Sequence, residues 1–520
     1  YLEAAGKKFL VDCGMEQGND VYENQELPIA ASDVDCILLT HAHIDHSGLI
    51  PLMYVNGFRG QVYSTSATAQ LCEIMLRDSA HIQMFEAEWR NRKAARSGGK
   101  LKEFVPLYDM DAAVNVCKQF VGCEYDRVYD IAEGIKIRFT DVGHLLGSAS
   151  IEVWATEKTE NGDVTEKIVF SGDIGNINKP IIKDPKHVRD ADYVVMESTY
   201  GNRSHGGTPN YVEDLTDIFK RTFERGGNVV IPSFAVGRTQ ELLYIIRKIK
   251  EDNLVGRDFD VYMDSPLAIE ATNIFIKNVE SCFDDEAVEL VRKGINPLSF
   301  PGLKYATTGD ESKQINFDPN PKVIISSSGM CEAGRIRHHL KHNLWRPECT
   351  IVFVGYQAVG TTGRIIVDGA EEIKLFGEPI QIKAEIVQLK GSSGHADKDG
   401  LLCWINAFDT KPKKVFVVHG EDSVCDEFTE CLKEEYGYDA MAPYTGGSYD
   451  LIADRVISEG VKERKTRRTT STQRGKTVFD RLVAAGKRLM TVITHNEGGT
   501  NKDLAKFTDQ INALCDKWDR

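Results

Sequence analysis

The segment 40–48 constrains this chain more than any other, because it holds three histidines and an aspartate within six residues. These side chains are His41, His43, Asp45 and His46. The segment follows the apolar run 36–39, which is typical of a short buried strand. The spacing lets His41 and His43 face one point, and Asp45 and His46 a second point close by. Imidazole nitrogens and carboxylate oxygens suit zinc, and open coordination positions suit catalysis. The sequence therefore predicts a catalytic metal site at the end of a strand.

Further polar side chains stand where predicted strands end, and they are Asp12, His144, Asp173 and Glu197. Together with the first segment they predict one site along one edge of a sheet. Two later loop histidines, His395 and His419, follow predicted strands at 386–389 and 414–418. Asp12 has two interpretations. It either holds a ligand imidazole in place or forms a turn before Gly14.

Composition limits the class of protein. The length of 520 residues predicts about three domains. The net charge of −15 argues against a general polyanion binder, so any nucleic-acid site needs locally concentrated basic groups. The twelve cysteines include no CxxC pair, and free thiols in a reducing cytoplasm are expected. No apolar run is long enough for a membrane helix, and no signal peptide is expected. The chain begins at Tyr1 rather than Met, which indicates a trimmed start.

The pattern of elements predicts one domain inserted into another. Residues 1–205 and 381–458 read as short strands carrying the site residues, whereas 206–380 alternate between helices and buried strands. That alternation predicts a mostly parallel sheet. Residues 459–520 form a basic linker and a helical tail with apolar residues every three or four positions.

At this point the motifs match a known pattern. The chain resembles the β-CASP branch of the metallo-β-lactamase fold. Within it, the chain is most similar to ribonucleases related to the endonuclease subunit of the cleavage and polyadenylation specificity factor and to their prokaryotic counterparts. The resemblance covers roughly residues 1–455 and rests on segments 40–48, 143–144, 171–173, 197–201, 393–397 and 418–421. It implies an α/β fold, a metallo-β-lactamase αββα sandwich with an inserted β-CASP domain that has a mainly parallel sheet.

The resemblance also implies two Zn²⁺ per chain and a role for each site residue. One zinc would be held by His41, His43 and His144, and the second by Asp45, His46 and His419. Asp173 would bridge the two, and Asp12 would orient a ligand. His395 would lie over the scissile phosphate as proton donor or charge stabiliser, with Glu197 orienting it. The resemblance implies a catalytic as well as a metal-binding role for Asp45 and Asp173.

Three strand–loop–helix segments in the inserted domain are candidate phosphate contacts. Their residues are Ser328, Gly329, Gly360, Thr361, Arg364 and Arg238. Backbone N–H groups at a helix start can point at an anion, and arginine can pair bidentately with phosphate. Glycine-rich loops also occur as plain turns with no ligand, so phosphate binding and a purely structural turn are both open interpretations. His338, His339 and His342 favour a solvated or phosphate-facing helix over a metal site.

The leading prediction is a zinc-dependent ribonuclease, an endonuclease that hydrolyses single-stranded RNA by a hydroxide activated between two metals. A 5′-exonuclease activity stays open. The alternatives are a DNA nuclease or small-phosphodiester hydrolase on the same fold, and a catalytically silent RNA-processing scaffold. We expect a cytoplasmic protein with no membrane partner, and a homodimer is compatible with the sequence.

Overall fold

The computed structural model describes residues 1–15, 27, 29–96, 104–160, 162–204, 210–389, 393–462, 478–498 and 500–518. In chain order the strands are β1 Leu2–Ala4, β2 Lys7–Val11, β3 Cys36–Leu38, β4 Gln61–Thr65, β5 Phe120–Cys123, β6 Val128–Ala132, β7 Ile135–Asp141, β8 Ala149–Thr159, β9 Gly162–Phe170, β10 Tyr193–Glu197, β11 Val229–Pro232, β12 Asp260–Asp264, β13 Leu303–Tyr305, β14 Lys322–Ser326, β15 Thr350–Phe353, β16 Glu372–Leu375, β17 Glu378–Gln381, β18 Glu385–Gln388, β19 Lys414–Val418, β20 Ala440–Met441, β21 Ser448–Asp450 and β22 Arg455–Ser458.

The α-helices are α1 Ile44–Ser47, α2 Ile50–Val55, α3 Ser66–Arg96, α4 Met110–Cys117, α5 Tyr211–Glu224, α6 Arg238–Glu251, α7 Pro266–Lys277, α8 Val279–Cys282, α9 Asp285–Arg292, α10 Gly309–Phe317, α11 Ile336–Asn343, α12 Thr362–Val367, α13 Lys398–Ile405, α14 Asp422–Glu434, α15 Val478–His495 and α16 Asn501–Trp518. In the described part of the chain, no helix combines the length and the apolar character needed to cross a membrane.

Two sheets face each other and form the centre of the first domain. The first has the order β1-β2-β3-β4-β5, and the second has the order β20-β19-β10-β9-β8-β7-β6. Strand β3 shows why they stack: Leu38 is buried between the sheets, while Ile37 packs with the helices on the outer side. Successive side chains of a strand point to opposite faces, so an unbroken apolar run suits a strand buried on both sides.

Helices cover both outer faces of this pair of sheets. Apolar residues of α2, α3 and α4 pack on the first sheet, and those of α13 and α14, including Trp404 and Phe428, pack on the second. The predicted αββα sandwich is therefore confirmed.

The inserted region forms a parallel sheet of order β13-β12-β14-β11-β15-β18. Its strands are buried on both faces: Val230 and Ile324 pack on one side, and Val229 and Val323 on the other. The predicted, mainly parallel inserted sheet is confirmed as well. Its strands all end at the same edge, so the loops that follow β11, β14 and β15 lie side by side.

The predicted return to the first domain at residue 381 stays a prediction, and one strand beyond it still pairs with the inserted sheet. Strand β18 pairs in parallel with β15, with Ile386 opposite Ile351, so it belongs to the inserted sheet. The backbone hydrogen bonds therefore keep the chain in the inserted sheet up to about residue 388. The other domain limits stay predictions.

The tail contains the predicted amphipathic helix as α16, and α15 precedes it. No residue of α16 is buried, and Trp518 is 64% exposed. Most of the predicted basic linker, residues 463–477, lies outside the described residues.

Candidate metal centre and catalytic site

The first group of candidate ligands consists of three imidazoles that converge around one point. His41 and His43 follow β3, and His144 follows β7. Nε2 of His41 lies 3.0 Å from Nδ1 of His43, and Nε2 of His144 lies 3.2 Å from the same Nδ1 atom. Donor atoms of these three residues and of Asp173 all lie within 4.8 Å of one another.

The second group lies next to the first. Asp45 and His46 are carried by the one-turn helix α1, and His419 follows β19. One donor atom from each of these residues lies within 4.8 Å of the others. The rings of His41 and His46 have centroids 4.1 Å apart, so the two groups are immediate neighbours.

Asp173 stands between the two groups and gives one oxygen to each. Its Oδ2 lies 3.4 Å from Nε2 of His41 and 3.5 Å from Nε2 of His144. Its Oδ1 lies 3.2 Å from Nε2 of His46 and 3.3 Å from Nε2 of His419. The structure thus brings together all seven residues predicted as metal ligands, around one carboxylate.

The unused hydrogen-bonding atoms of this cluster fit a metal ion. Oδ1 of Asp173 and Nε2 of His46 are buried and lie 3.2 Å apart, yet neither makes a hydrogen bond of good geometry within the described residues. Buried polar atoms nearly always have a partner in a folded protein. A set of imidazole nitrogens and carboxylate oxygens that point at each other is the donor set that divalent metals such as zinc take.

The charge states also fit metal binding. Burial lowers the pKa of His41, His43 and His144, which keeps their rings neutral and leaves a lone pair for a metal. Burial alone would raise the pKa of Asp173, but His419, His46 and His41 outweigh it and hold the pKa well below its usual range.

His46 differs from its neighbours. Burial would lower its pKa, yet Asp173 and Asp12 raise it well above the ordinary value. Those carboxylates would attract a metal ion at Nε2 as they attract a proton, so metal binding there would displace that proton.

Asp12 lies against a ligand. Its Oδ2 is 2.7 Å from Nδ1 of His46 and accepts a hydrogen bond from the Thr40 hydroxyl at 2.8 Å, and its Oδ1 accepts one from the Thr40 N–H. Asp12 adopts a left-handed φ of 61°, which turns the chain at the end of β2. The carboxylate therefore holds the His46 proton on Nδ1 and turns Nε2 towards Asp173.

His395 lies beside the cluster and is held by Glu197. Nδ1 of His395 is 3.1 Å from Oε2 of Glu197 and 3.8 Å from Oδ2 of Asp173. Glu197 is 1% exposed and also accepts hydrogen bonds from the N–H groups of Ile174 and Thr199. Burial alone would lower the pKa of His395, but Glu197 and Asp173 raise it to about 9. The imidazolium is therefore the favoured form beside this acidic cluster.

The three loops predicted to bind phosphate touch one another and form one wall. Ser233 N–H donates to the Ser326 carbonyl at 3.0 Å. The Gln357 amide donates to the Gly329 carbonyl at 3.1 Å, and Gly363 N–H donates to the Met330 carbonyl at 3.0 Å. We call these segments, 232–238, 326–330 and 355–364, the wall loops.

The predicted contact residues in the wall loops differ in how available they are. Arg238 is paired with Glu241 at 2.5 Å, and Arg364 with Asp368 at 2.8 Å. Thr361 caps α12 by accepting from Arg364 N–H at 3.2 Å. A carboxylate already neutralises each predicted arginine, which weakens both as phosphate contacts.

The glycine and serine positions in the wall loops also differ. Gly360 has a left-handed φ of 88° and open space around it. Gly329 is buried, and a Cβ there would lie 3.1 Å from the ring of Phe234. Ser328 N–H is turned towards the Ala333 carbonyl, at 3.4 Å.

Two features of the site were not predicted. Lys179 donates to the carbonyl of the ligand His144 at 3.0 Å and pairs with Glu241 of the inserted domain at 3.3 Å, so it ties the two domains together. Phe234 is 46% exposed within a wall loop. Lys179 carries no local sequence signal, because both of its partners are distant in the chain.

The predicted solvated helix with three histidines needs a correction. His339 is fully buried, and its Nε2 lies 2.6 Å from Oδ2 of Asp264. Its Nδ1 lies 3.0 Å from the Asn316 side chain. This histidine satisfies a buried carboxylate rather than facing solvent.

Comparison with known proteins agrees with this geometry. Family models match a metallo-β-lactamase superfamily domain at residues 1–176, a Beta-Casp domain at 239–366, and a Zn-dependent metallo-hydrolase RNA specificity domain at 379–443. Ribonuclease TTHA0252 of Thermus thermophilus is 34% identical over 422 residues, which cover 81% of this chain and 89% of that protein. This chain belongs to the β-CASP ribonuclease family.

Two other relatives have different printed names. The transcription termination factor FttA of Methanosarcina mazei is 32% identical over 85% of this chain and 67% of its own length. An RNase J-like protein of Methanocaldococcus jannaschii is 31% identical over 81% of this chain and 88% of its own length. Membership of the β-CASP family, together with the histidine–aspartate cluster, identifies a metal-dependent hydrolase with a divalent-metal site.

Proposed function

We propose that this β-CASP protein is a zinc-dependent ribonuclease that cleaves single-stranded RNA internally and holds two zinc ions per chain. The observation that carries the proposal is the position of Asp173. Each of its oxygens lies within 3.5 Å of two imidazole nitrogens of a different ligand group. A carboxylate placed in this way suits the bridge between two cations.

The metal centre would hold the reacting phosphate and its nucleophile. When bound, two zinc ions would supply an activated water near neutral pH and would neutralise charge on the phosphate oxygens. His41, His43 and His144 would hold one ion and Asp45, His46 and His419 the other, with Asp173 shared between them. Asp12 keeps His46 in the tautomer that can bind metal.

His395 would move the proton that the leaving oxygen needs. Its ring centroid lies 4.6 Å from that of His144, so it borders the metal centre. Glu197 orients the ring and stabilises its charged form. A charged imidazole at this place can donate a proton to the 3′-oxygen or stabilise its negative charge.

RNA as the substrate is supported by three observations. A relative is named a ribonuclease, and one matched family model is named for RNA specificity. The wall loops end three neighbouring parallel strands of the inserted domain, and their loop–helix starts suit phosphates. The net charge of −15 requires such local sites rather than a general electrostatic attraction.

The test is to incubate the chain with single-stranded RNA labelled at the 5′ end, with and without a chelator, and to read product lengths. We expect several internal cleavage products that disappear with chelator and return with added zinc. Parallel reactions use single-stranded DNA of the same sequence and a chromogenic phosphodiester. Cleavage of DNA in preference to RNA would favour the DNA-nuclease alternative, and no chelator-sensitive product on any substrate would contradict the proposal.

A further inference from the structure

Arg203 lies at the edge of the catalytic site, on the loop that follows Glu197. Its guanidinium carbon is 4.6 Å from the centre of the Tyr200 ring. The Tyr200 ring in turn lies 6.1 Å from the ring of His395, at an angle of 68°. The Tyr200 ring is therefore a neighbour both of the arginine charge and of the histidine that is proposed to act on the leaving group.

The loop that carries Arg203 is fixed by backbone contacts. Arg203 N–H donates to the Tyr200 carbonyl at 3.2 Å, and Lys398 N–H donates to the Arg203 carbonyl at 3.0 Å. Gly201 packs against Phe428 so closely that a Cβ there would lie 2.7 Å from that side chain. The hydrogen bond from Lys398 N–H joins the loop to the start of α13, three residues after His395.

Arg203 differs from the two arginines first predicted to bind phosphate. Arg238 and Arg364 are each paired with a carboxylate. Arg203 is exposed, and within the described ranges no salt bridge involves it. Stacking on a tyrosine uses the flat face of a guanidinium and leaves its N–H edge available for a phosphate.

We propose that Arg203 binds a phosphate of the RNA backbone next to the scissile phosphate, and that Tyr200 orients it. This inference rests on the proposed ribonuclease function and adds a substrate contact to it. Arginine can make charge-assisted, bidentate hydrogen bonds to phosphate. Because the guanidinium stacks on Tyr200 before substrate arrives, it loses less rotational freedom on binding than a freely moving side chain would.

The test compares Arg203→Ala with the matched control Arg257→Ala. Arg257 is also exposed and also stacks on an aromatic ring, with its guanidinium carbon 5.6 Å from the Phe223 ring centre. It precedes β12, so it lies at the end of the inserted sheet opposite the wall loops. The measurements are kcat and KM for single-stranded RNA over a series of salt concentrations, and the rate of hydrolysis of a chromogenic phosphodiester.

We expect Arg203→Ala to lower kcat/KM for RNA about ten-fold, mainly through KM, as for loss of one hydrogen bond to a charged group. The plot of log kcat/KM against log salt should become less steep by about 0.7, the value for one contact to a single strand. A purely structural role would not change that slope. Arg203→Lys, which keeps the charge and loses the planar stack, should fall between Arg203→Ala and wild type.

Hydrolysis of the chromogenic ester should stay at the wild-type rate, because the ester has no neighbouring phosphate. A wild-type KM and salt slope for Arg203→Ala, while the wild-type chain cleaves RNA, would overturn the role of Arg203 alone. An equal loss in Arg257→Ala, or loss of ester hydrolysis in Arg203→Ala, would overturn it as well. Absence of RNA cleavage by the wild-type chain would overturn the proposed function with it, so the two failures are distinguishable.

Discussion

Nδ1 of His395 lies 3.1 Å from Oε2 of Glu197, although 198 positions separate the two residues in the chain. Glu197 ends β10 in the core of the first domain, whereas His395 follows the inserted domain. The contact therefore joins the segment before the inserted domain to the segment after it, at the candidate catalytic site. It fixes the ring beside Asp173, where a leaving oxygen would need a proton.

His395→Ala should leave the metal content unchanged and strongly lower RNA cleavage. The residue is outside both ligand groups, and a positioned acid or base contributes roughly 10²–10⁴-fold to a rate. The measurements are zinc content by elemental analysis and kcat on single-stranded RNA. His187→Ala, an exposed histidine away from the cluster, is the control. Wild-type turnover in His395→Ala would remove the residue from the mechanism.

Asp12→Asn should weaken metal binding without unfolding the chain. An amide cannot accept the His46 Nδ1 proton as a carboxylate does, and such outer contacts are worth roughly 10–100-fold in metal affinity or activity. The measurement is zinc retained in competition with a chelator of known affinity. Asp126→Asn is a matched control, because Asp126 has the same left-handed φ of 61° and pairs with Lys186 on the surface. Equal zinc retention in the two variants would contradict the role of Asp12.

Asp141→Asn should stabilise the protein more at alkaline than at acidic pH. Burial raises the pKa of Asp141 to about 7, and the hydrogen bond from Gly143 N–H only partly offsets this. The folded chain therefore holds this proton more tightly than the unfolded chain does. That contribution to stability is complete below about pH 4 and is lost as the pH rises through about 7.

The measurement for Asp141 is the melting temperature of wild type and variant at pH 5 and pH 8, both saturated with zinc. We expect the melting temperature of the variant, relative to that of the wild type, to be a few degrees higher at pH 8 than at pH 5. One pKa unit is worth about 1.4 kcal/mol of stability. Asp130→Asn, at an exposed aspartate on the neighbouring strand β6, is the control. If the melting temperatures of variant and wild type differ by the same amount at pH 5 and at pH 8, Asp141 does not titrate in this range.

Arg364→Ala and Arg238→Ala should have different effects, although both lie in the wall loops. Arg364 pairs with Asp368 at the surface, where ion pairs contribute little to stability, so its removal should leave the melting temperature unchanged. Any phosphate contact it makes would then appear as a few-fold rise in KM for RNA. Arg238 neutralises Glu241, which is 7% exposed, so its removal should lower the melting temperature. A normal KM in both variants would argue against phosphate binding by these two arginines.

Local sequence patterns brought out most of the candidate ligands because these residues lie in loops just after strands. His41, His144, Asp173 and His419 could be read from apolar runs that end in polar residues, and parallel strands bring such ends to one edge. The same patterns do not show which sheet a strand joins. An apolar strand such as β18 looks the same whether it joins one sheet or another, and only its pairing with β15 decides.

Contacts between distant polar residues could not be predicted in this way. His339 read as solvated because its partner Asp264 lies 75 positions away. Arg238 was predicted as a phosphate contact, and its pairing with Glu241 one helical turn further on was not considered. Arg203 was overlooked because its value depends on the distance from Tyr200 to His395. The cytoplasmic location and a homodimer stay predictions.

The most direct test of the account is the number of zinc ions per chain, measured by native mass spectrometry on wild type and on an Asp45→Ala, His419→Ala double variant. The account predicts two ions in the wild type and one in the variant, because His41, His43, His144 and Asp173 would still hold the first ion. A wild-type chain that binds at most one ion, or a variant that still binds two, would contradict a two-metal centre built around Asp173.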